Sequence, residues 1–108
     1  MRLIYLLLLS VLFVSFANAE DNQVDCLILE DENSIICKYS HERISVEKKI
    51  TMRWIEPDGS VTRIREMIIP AYHGSVYDYR YIDGRSPGEW TFSVVDAQNE
   101  YSTTFIIK

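Results

Sequence analysis

Cysteine and histidine are the side chains in this sequence with the greatest capacity for covalent or metal chemistry, and each occurs twice, as Cys26, Cys37, His41 and His73. Nucleophilic catalysis needs a base beside a cysteine or serine, but neither histidine belongs to a triad or nucleophile-elbow pattern. The four residues also lack the ligand spacing of a zinc site. The 16 acidic residues are scattered, and the glycines mark turns rather than a phosphate loop. The sequence therefore predicts no enzyme activity, no catalytic residues, no metal and no cofactor.

A disulfide between Cys26 and Cys37 is the covalent chemistry that the sequence favours instead. Residues 24–29 and 35–39 have strand-forming sequences, and a polar turn separates them. If residues 30 and 33 close that turn, the two cysteines oppose each other with Cα atoms ~4.5–5.5 Å apart, which is within disulfide range. Two free buried thiols are the alternative.

Residues 1–19 have the organisation of a cleaved secretory signal peptide. Arg2 precedes an almost wholly apolar run over residues 3–14, and Ala17-Asn18-Ala19 supplies the small residues that a signal peptidase recognises. An uncleaved membrane anchor is the alternative, but the run is shorter than the ~20 residues that a spanning helix needs. We therefore expect a periplasmic or secreted protein, in an oxidising compartment that favours disulfides, with no membrane span after cleavage.

Cleavage would leave residues 20–108, which are enough for a single small domain. Arg2 is the only charged side chain among the first 19 residues, so the net charge would change from −5 to −6. This acidic balance argues against nucleic acid or an anionic membrane as a partner.

The turn Pro57-Asp58-Gly59 predicts how the strands on either side of it pair. Proline suits the first central position of a type I turn, and Gly59 can adopt the positive φ of a G1 bulge. Glu56 and Ser60 would then close the loop.

Three arginines share one face if the ladder continues unbroken from that loop. Arg53 then lies opposite Arg63, and Arg65 follows on the same side. Because like charges directly opposite each other are unfavourable, this is a candidate binding face for an acidic partner or an anionic polymer. The alternative is a solvated outer face covered by nearby acids.

Tyr77, Tyr79 and Tyr81 alternate with Asp78 and Arg80 and so lie on one side of a strand. The two charged residues are expected to face solvent, so the tyrosines should lean inward with their hydroxyls at the edge of the fold. The alternative is an exposed aromatic stripe that binds a sugar or an extended peptide.

Short strand-like segments separated by turn residues continue along the whole chain after residue 23. They cover residues 24–29, 34–39, 44–55, 60–68, 75–82, 89–95 and 101–107. No window has a helical period. Trp54, Trp90 and Phe92 occupy inward positions of their strands and are the predicted core. Seven short strands at this spacing predict an all-β fold, an antiparallel β-sandwich.

Two motifs resemble those of small exported bacterial domains of unknown function with immunoglobulin-like sandwich folds. The first is the W-x-x-P-x-G hairpin over residues 54–59, and the second is the P-G-x-W-x-x-x-V strand over residues 87–94. The resemblance covers roughly residues 35–108 and carries no catalytic residue. It departs from antibody-type domains because the strand with Phe92 and Val94 has no cysteine, so Cys26–Cys37 would be a local clamp.

These observations predict a non-catalytic binding or scaffolding domain with an unknown protein or an envelope polymer as its partner. The first hypothesis is a monomeric protein-interaction module that uses an edge strand or the face with Arg53, Arg63 and Arg65. The second is a binder of carbohydrate or cell-envelope polymer through Tyr77, Tyr79 and Tyr81. The third is a structural subunit or secreted inhibitor that uses loops 70–75 and 83–88.

Overall fold

The computed structural model describes residues 22–108, and the predicted signal peptide at residues 1–19 lies outside them. The elements are β1 (Gln23–Leu29), a 3-10 turn (Glu30–Glu32), β2 (Ser34–Ser40), β3 (Lys48–Ile55), β4 (Val61–Ile69), β5 (Ser75–Tyr81), β6 (Gly88–Asp96) and β7 (Asn99–Ile107).

The strands form two antiparallel sheets that pack face to face. One sheet has the order β1-β2-β5 and the other β4-β3-β6-β7. Three hairpins, β1–β2, β3–β4 and β6–β7, stay within a sheet, and the other connections cross between the layers. The predicted all-β fold, an antiparallel β-sandwich of seven strands, is confirmed.

Aromatic side chains fill the space between the sheets. Trp54, Trp90 and Phe92 are each at most 1% exposed, which confirms them as core residues. Trp54 meets Phe92 edge-on at 5.1 Å between ring centroids, and Phe105 packs against both indoles. Burial of each such ring contributes roughly 1.5–3 kcal/mol to folding.

The β1–β2 hairpin has the predicted pairing, with Cys26 opposite Cys37. The two cysteines form a disulfide across Cα atoms 4.1 Å apart. Asn33 closes the turn in the left-handed conformation, and its N–H donates to the carbonyl of Glu30 at 3.1 Å. The local clamp predicted from the sequence is confirmed.

The β3–β4 turn also forms as predicted, but the strands beyond it do not pair as predicted. The N–H of Glu56 donates to the Ser60 carbonyl at 2.8 Å, and Gly59 has φ +91°. Ile55 then faces Val61, after which the register shifts so that Trp54 faces Arg63 rather than Thr62. Thr62 is the extra residue of a second β-bulge.

This bulge removes the predicted three-arginine face. Every residue beyond Thr62 turns to the opposite side of the sheet, because side chains alternate along a strand. Arg63 and Arg65 therefore lie on the inner side opposite Trp54 and Met52, while Arg53 pairs with Ile64 on the outer side.

Two further expectations were wrong. The strand predicted over residues 44–55 was too long, because β3 begins at Lys48. At this first position of the strand, the Lys48 ammonium lies 3.1 Å from the Asp96 carboxylate. Strand β5 presents to the core the side that was predicted to face solvent. Its tyrosines face solvent, and Asp78 and Arg80 face the core at 2% and 8% exposure.

Candidate functional site

The outer side of the three-stranded sheet carries a large exposed apolar surface. Leu27, Ile36 and Tyr79 form one cross-strand row, with Tyr77 and Tyr81 on either side along β5. The tyrosines are 55–58% exposed and Leu27 59%. We call these five residues the tyrosine face. A contiguous exposed apolar patch of this kind typically marks an interaction site.

Asp78 explains why the tyrosines of β5 point outward. Its Oδ2 accepts a hydrogen bond from the Trp54 indole N–H at 2.8 Å, and its Oδ1 accepts from Arg65 Nη1 at 2.9 Å and from the Tyr79 N–H at 3.0 Å. Arg63 Nε lies 3.6 Å from Oδ2. A buried carboxylate is tolerated when it is paired and fully hydrogen-bonded, as this one is. The period-two alternation then forces the neighbouring tyrosines to the outside.

Arg80 is the second inward charge of β5. Its guanidinium lies over the Trp54 ring at 5.5 Å from the centroid, and Nη1 donates to Thr62 Oγ1 at 3.2 Å. Its buried Nε has no hydrogen-bond partner among the described residues. Burial lowers the pKa of Arg80, and the positive charges of Arg85 and Arg63 lower it further.

The gap between β4 and β5 opens into a cleft of about 270 Å³. We call it the arginine cleft; it is lined by Arg63, Arg65, Tyr79, Arg80, Tyr81 and Arg85. Arg85 follows β5 and is fixed by a hydrogen bond from its Nε to the Tyr81 carbonyl at 3.3 Å. Tyr79 and Tyr81 belong to both surfaces, so the tyrosine face and the arginine cleft are continuous.

The edge of β5 is protected against pairing with an added strand. In the described part of the chain, the edge strands are β1 and β5 in one sheet and β4 and β7 in the other. The Tyr79 N–H is occupied by the Asp78 carboxylate, which also holds Arg65 of β4. Inward-pointing charges of this kind discourage edge-to-edge pairing. This geometry disfavours the predicted edge-strand mode at β5.

The tyrosine rings do not form a flat platform. Tyr79 and Tyr81 are 6.3 Å apart between centroids, but their planes are inclined at 84°. A sugar that stacks on two neighbouring rings needs them nearly coplanar, whereas protein side chains can fill the angle between perpendicular rings.

A second buried polar cluster lies around Tyr39. Its hydroxyl donates to Asp96 at 2.6 Å and accepts from the Asn22 amide at 2.6 Å, and Lys48 completes the cluster through Asp96. Burial raises the pKa of Tyr39, and the Asp96 carboxylate raises it further. His41 stacks on Tyr39 at 5.6 Å between ring centroids, and neither of its buried ring nitrogens has a hydrogen-bond partner in the described part of the chain.

The structure separates Arg53 from Arg63 and Arg65, which the sequence analysis had placed on one face. It also brings together residues that the sequence analysis had not connected. Arg63 and Arg65 belong to the arginine cleft, and Arg53 lies on the far sheet surface. Sequence reasoning missed Asp78, Arg80 and Arg85 as parts of one site. The alternation in β5 was visible, but it does not say which side faces the core. Residues 22–108 contain no group of three metal-ligating side chains and no helix long and apolar enough to cross a membrane.

No protein-family model matches the chain, and no curated protein does. Among solved structures, a β-glucosidase from Kluyveromyces marxianus aligns over 81% of this chain with 8% identity and a TM-score of 0.46. The aligned part is 14% of that chain, so the match concerns about one seventh of the enzyme. At this level of similarity, the likeness carries no inference about activity.

Proposed function

We propose that this chain is a non-catalytic, exported protein-binding domain that docks a partner protein on the tyrosine face. The observation that carries this proposal is the orientation of β5, which exposes three tyrosines and buries Asp78 and Arg80. The buried hydrogen bonds of Asp78 account for the inward charges, whereas three tyrosines on the solvent side of one strand form an exposed aromatic surface of the kind that marks an interaction site.

The residue types of this surface fit a protein interface. Tyrosine and arginine are enriched where proteins bind each other, because both offer large contact area together with hydrogen-bonding groups. Leu27 and Ile36 add an apolar centre between the strands. The perpendicular rings of Tyr79 and Tyr81 support a protein partner over a stacked sugar.

The test compares a triple variant, Tyr77→Thr with Tyr79→Thr and Tyr81→Thr, with a control variant, Tyr72→Asn with Ile106→Thr. The control removes an equally exposed tyrosine and an exposed aliphatic side chain that lie outside the tyrosine face. Threonine keeps the β-propensity of the strands, and asparagine tolerates the left-handed backbone of Tyr72 at φ +67°, so both variants should fold like the parent chain by far-ultraviolet circular dichroism.

Each full chain is immobilised and exposed to an envelope extract of the source cells, and retained proteins are quantified by mass spectrometry. We expect a specific protein that the parent and the control retain and the triple variant loses, and that binds again when purified. Equal retention by all three chains would refute the tyrosine face as the interface. A tyrosine-dependent glycan on an oligosaccharide array, with no tyrosine-dependent protein, would favour polymer binding instead.

A further inference from the structure

We infer that the arginine cleft is a carboxylate-binding site, which takes an acidic side chain from the protein segment that covers the tyrosine face. This inference rests on the proposed function and adds the chemistry of the partner. The two surfaces share Tyr79 and Tyr81, so a segment that covers these two tyrosines lies beside the cleft.

The cleft has more positive charge than the described residues neutralise. It holds four of the seven arginines of a chain whose net charge is −5. Among residues 22–108, Asp78 is the only carboxylate within 4.0 Å of these arginines, and both of its oxygens already accept hydrogen bonds. Arg80 and Arg85 have no ion pair within residues 22–108. Two guanidinium groups are therefore left for an anion that the described chain does not supply.

Arg80 is a built part of this site. Only 8% of Arg80 is exposed to solvent. The Trp54 ring beneath its guanidinium and the hydrogen bond to Thr62 hold the side chain in one orientation. A guanidinium held in one orientation loses little entropy when it binds a carboxylate, whose two oxygens match its fork of donors. Arg85 and Arg63 repel the Arg80 charge while Asp78 and Glu56 attract it, and a bound anion would relieve the repulsion that remains.

The confinement of the charge favours an acidic side chain over a long polyanion. Of the other basic groups in strand β3, Lys48 pairs with Asp96 and Lys49 lies 4.0 Å from Glu66, while Arg53 is on the outer side of the sheet, away from the cleft. These residues therefore do not extend the positive charge of the cleft along β3. The volume of about 270 Å³ is suited to one or two side chains rather than to a run of sugar units.

The test titrates the full chain with acetylated, amidated tetraglutamate and follows the arginine Nε–H resonances by NMR. Tetraglutamine is the neutral control peptide, and a sulfated heparin tetrasaccharide represents a polyanionic sugar. We expect tetraglutamate to shift the resonances of Arg80 and Arg85, and tetraglutamine to leave them in place. A peptide concentration of about 10 mM nearly saturates even a millimolar site, so the absence of a shift there overturns the inference.

Two single variants assign the binding to the cleft. Arg85→Gln removes a half-buried guanidinium that holds no carboxylate, and we expect it to weaken tetraglutamate binding by up to about fivefold. Arg53→Gln on the outer side of the other sheet should leave the affinity unchanged. Equal effects of the two substitutions, or tighter binding of the tetrasaccharide than of tetraglutamate, would contradict a carboxylate site for a protein segment.

The outcome of this test is separate from that of the proposed function. If Tyr77→Thr, Tyr79→Thr and Tyr81→Thr abolish partner binding while Arg85→Gln does not change it, the tyrosine face remains the interface and the inference on the cleft is wrong.

Discussion

Replacement of the buried Asp78 carboxylate is the sharpest test of how this fold is held together. In Asp78→Asn, one of the two oxygens becomes an amide NH₂, while the side chain keeps its shape. Because Trp54 donates to one oxygen and Arg65 to the other, a single amide oxygen cannot satisfy both donors.

The expected loss follows from these contacts. At least one hydrogen bond to a charged group is lost, at ~1.5–3 kcal/mol. The attraction to two half-exposed arginines adds ~0.2–1 kcal/mol for each, because water screens their charges. We expect Asp78→Asn to lower the free energy of unfolding by about 2–5 kcal/mol, which is a large part of the stability of a domain this small.

Urea denaturation followed by tryptophan fluorescence measures this loss. Asp25→Asn removes a carboxylate from the exposed side of β1 and should change the free energy of unfolding by less than about 0.5 kcal/mol. Arg65→Met should cost less than Asp78→Asn, because the carboxylate keeps Trp54 and the Tyr79 N–H as donors. The reasoning is refuted if Asp78→Asn costs less than about 1 kcal/mol, or less than Arg65→Met.

Three further predictions concern the covalent clamp and the Tyr39 cluster. Combined Cys26→Ser and Cys37→Ser should lower the free energy of unfolding in urea by about 3 kcal/mol, because the bond closes a short loop in the unfolded chain; a loss below about 1 kcal/mol would contradict this. The pKa of Tyr39 is higher in the folded chain than in the unfolded chain, where the hydroxyl loses its proton at pH ~10. The stability that this group contributes is therefore complete below that pH and falls as the pH rises above it. Tyr39→Phe should therefore flatten the decline in urea midpoint above about pH 10, and an unchanged slope would refute the assignment. His41→Phe keeps a ring stacked on Tyr39 and removes two buried nitrogens that have no partner among the described residues. The free energy of unfolding should increase by about 1 kcal/mol, which raises the thermal midpoint by several degrees. A lower midpoint would contradict this prediction.

Local chemistry made much of the fold predictable. The turn at Pro57-Asp58-Gly59 and the pairing of Cys26 with Cys37 depend on residues close in sequence, and both were predicted correctly. The burial of Trp54 and Trp90 follows from their size and their position in alternating strands. Strand β3 was predicted too long, because Ile44 and Val46 continue the apolar alternation although they lie in a loop.

The candidate site was not predictable, because it depends on contacts between strands distant in sequence. The bulge at Thr62 has no signature of its own, and a shift of one residue reverses the side on which Arg63 and Arg65 lie. In β5, solvent exposure of Asp78 was the reasonable expectation from its charge. Its burial makes sense only once Trp54 and Arg65 are known to donate to it.

The bulge at Thr62 has a consequence for how this domain can change over generations. Deletion of Thr62 would give an unbroken ladder in which Ile55 still faces Val61 and Trp54 still faces Arg63, so both arginines would stay beside Asp78. We therefore expect a homologue with the shorter hairpin to keep the aspartate and to lose only the Thr62 hydroxyl that accepts a hydrogen bond from Arg80. An alignment in which this deletion regularly accompanies loss of the aspartate would contradict that expectation.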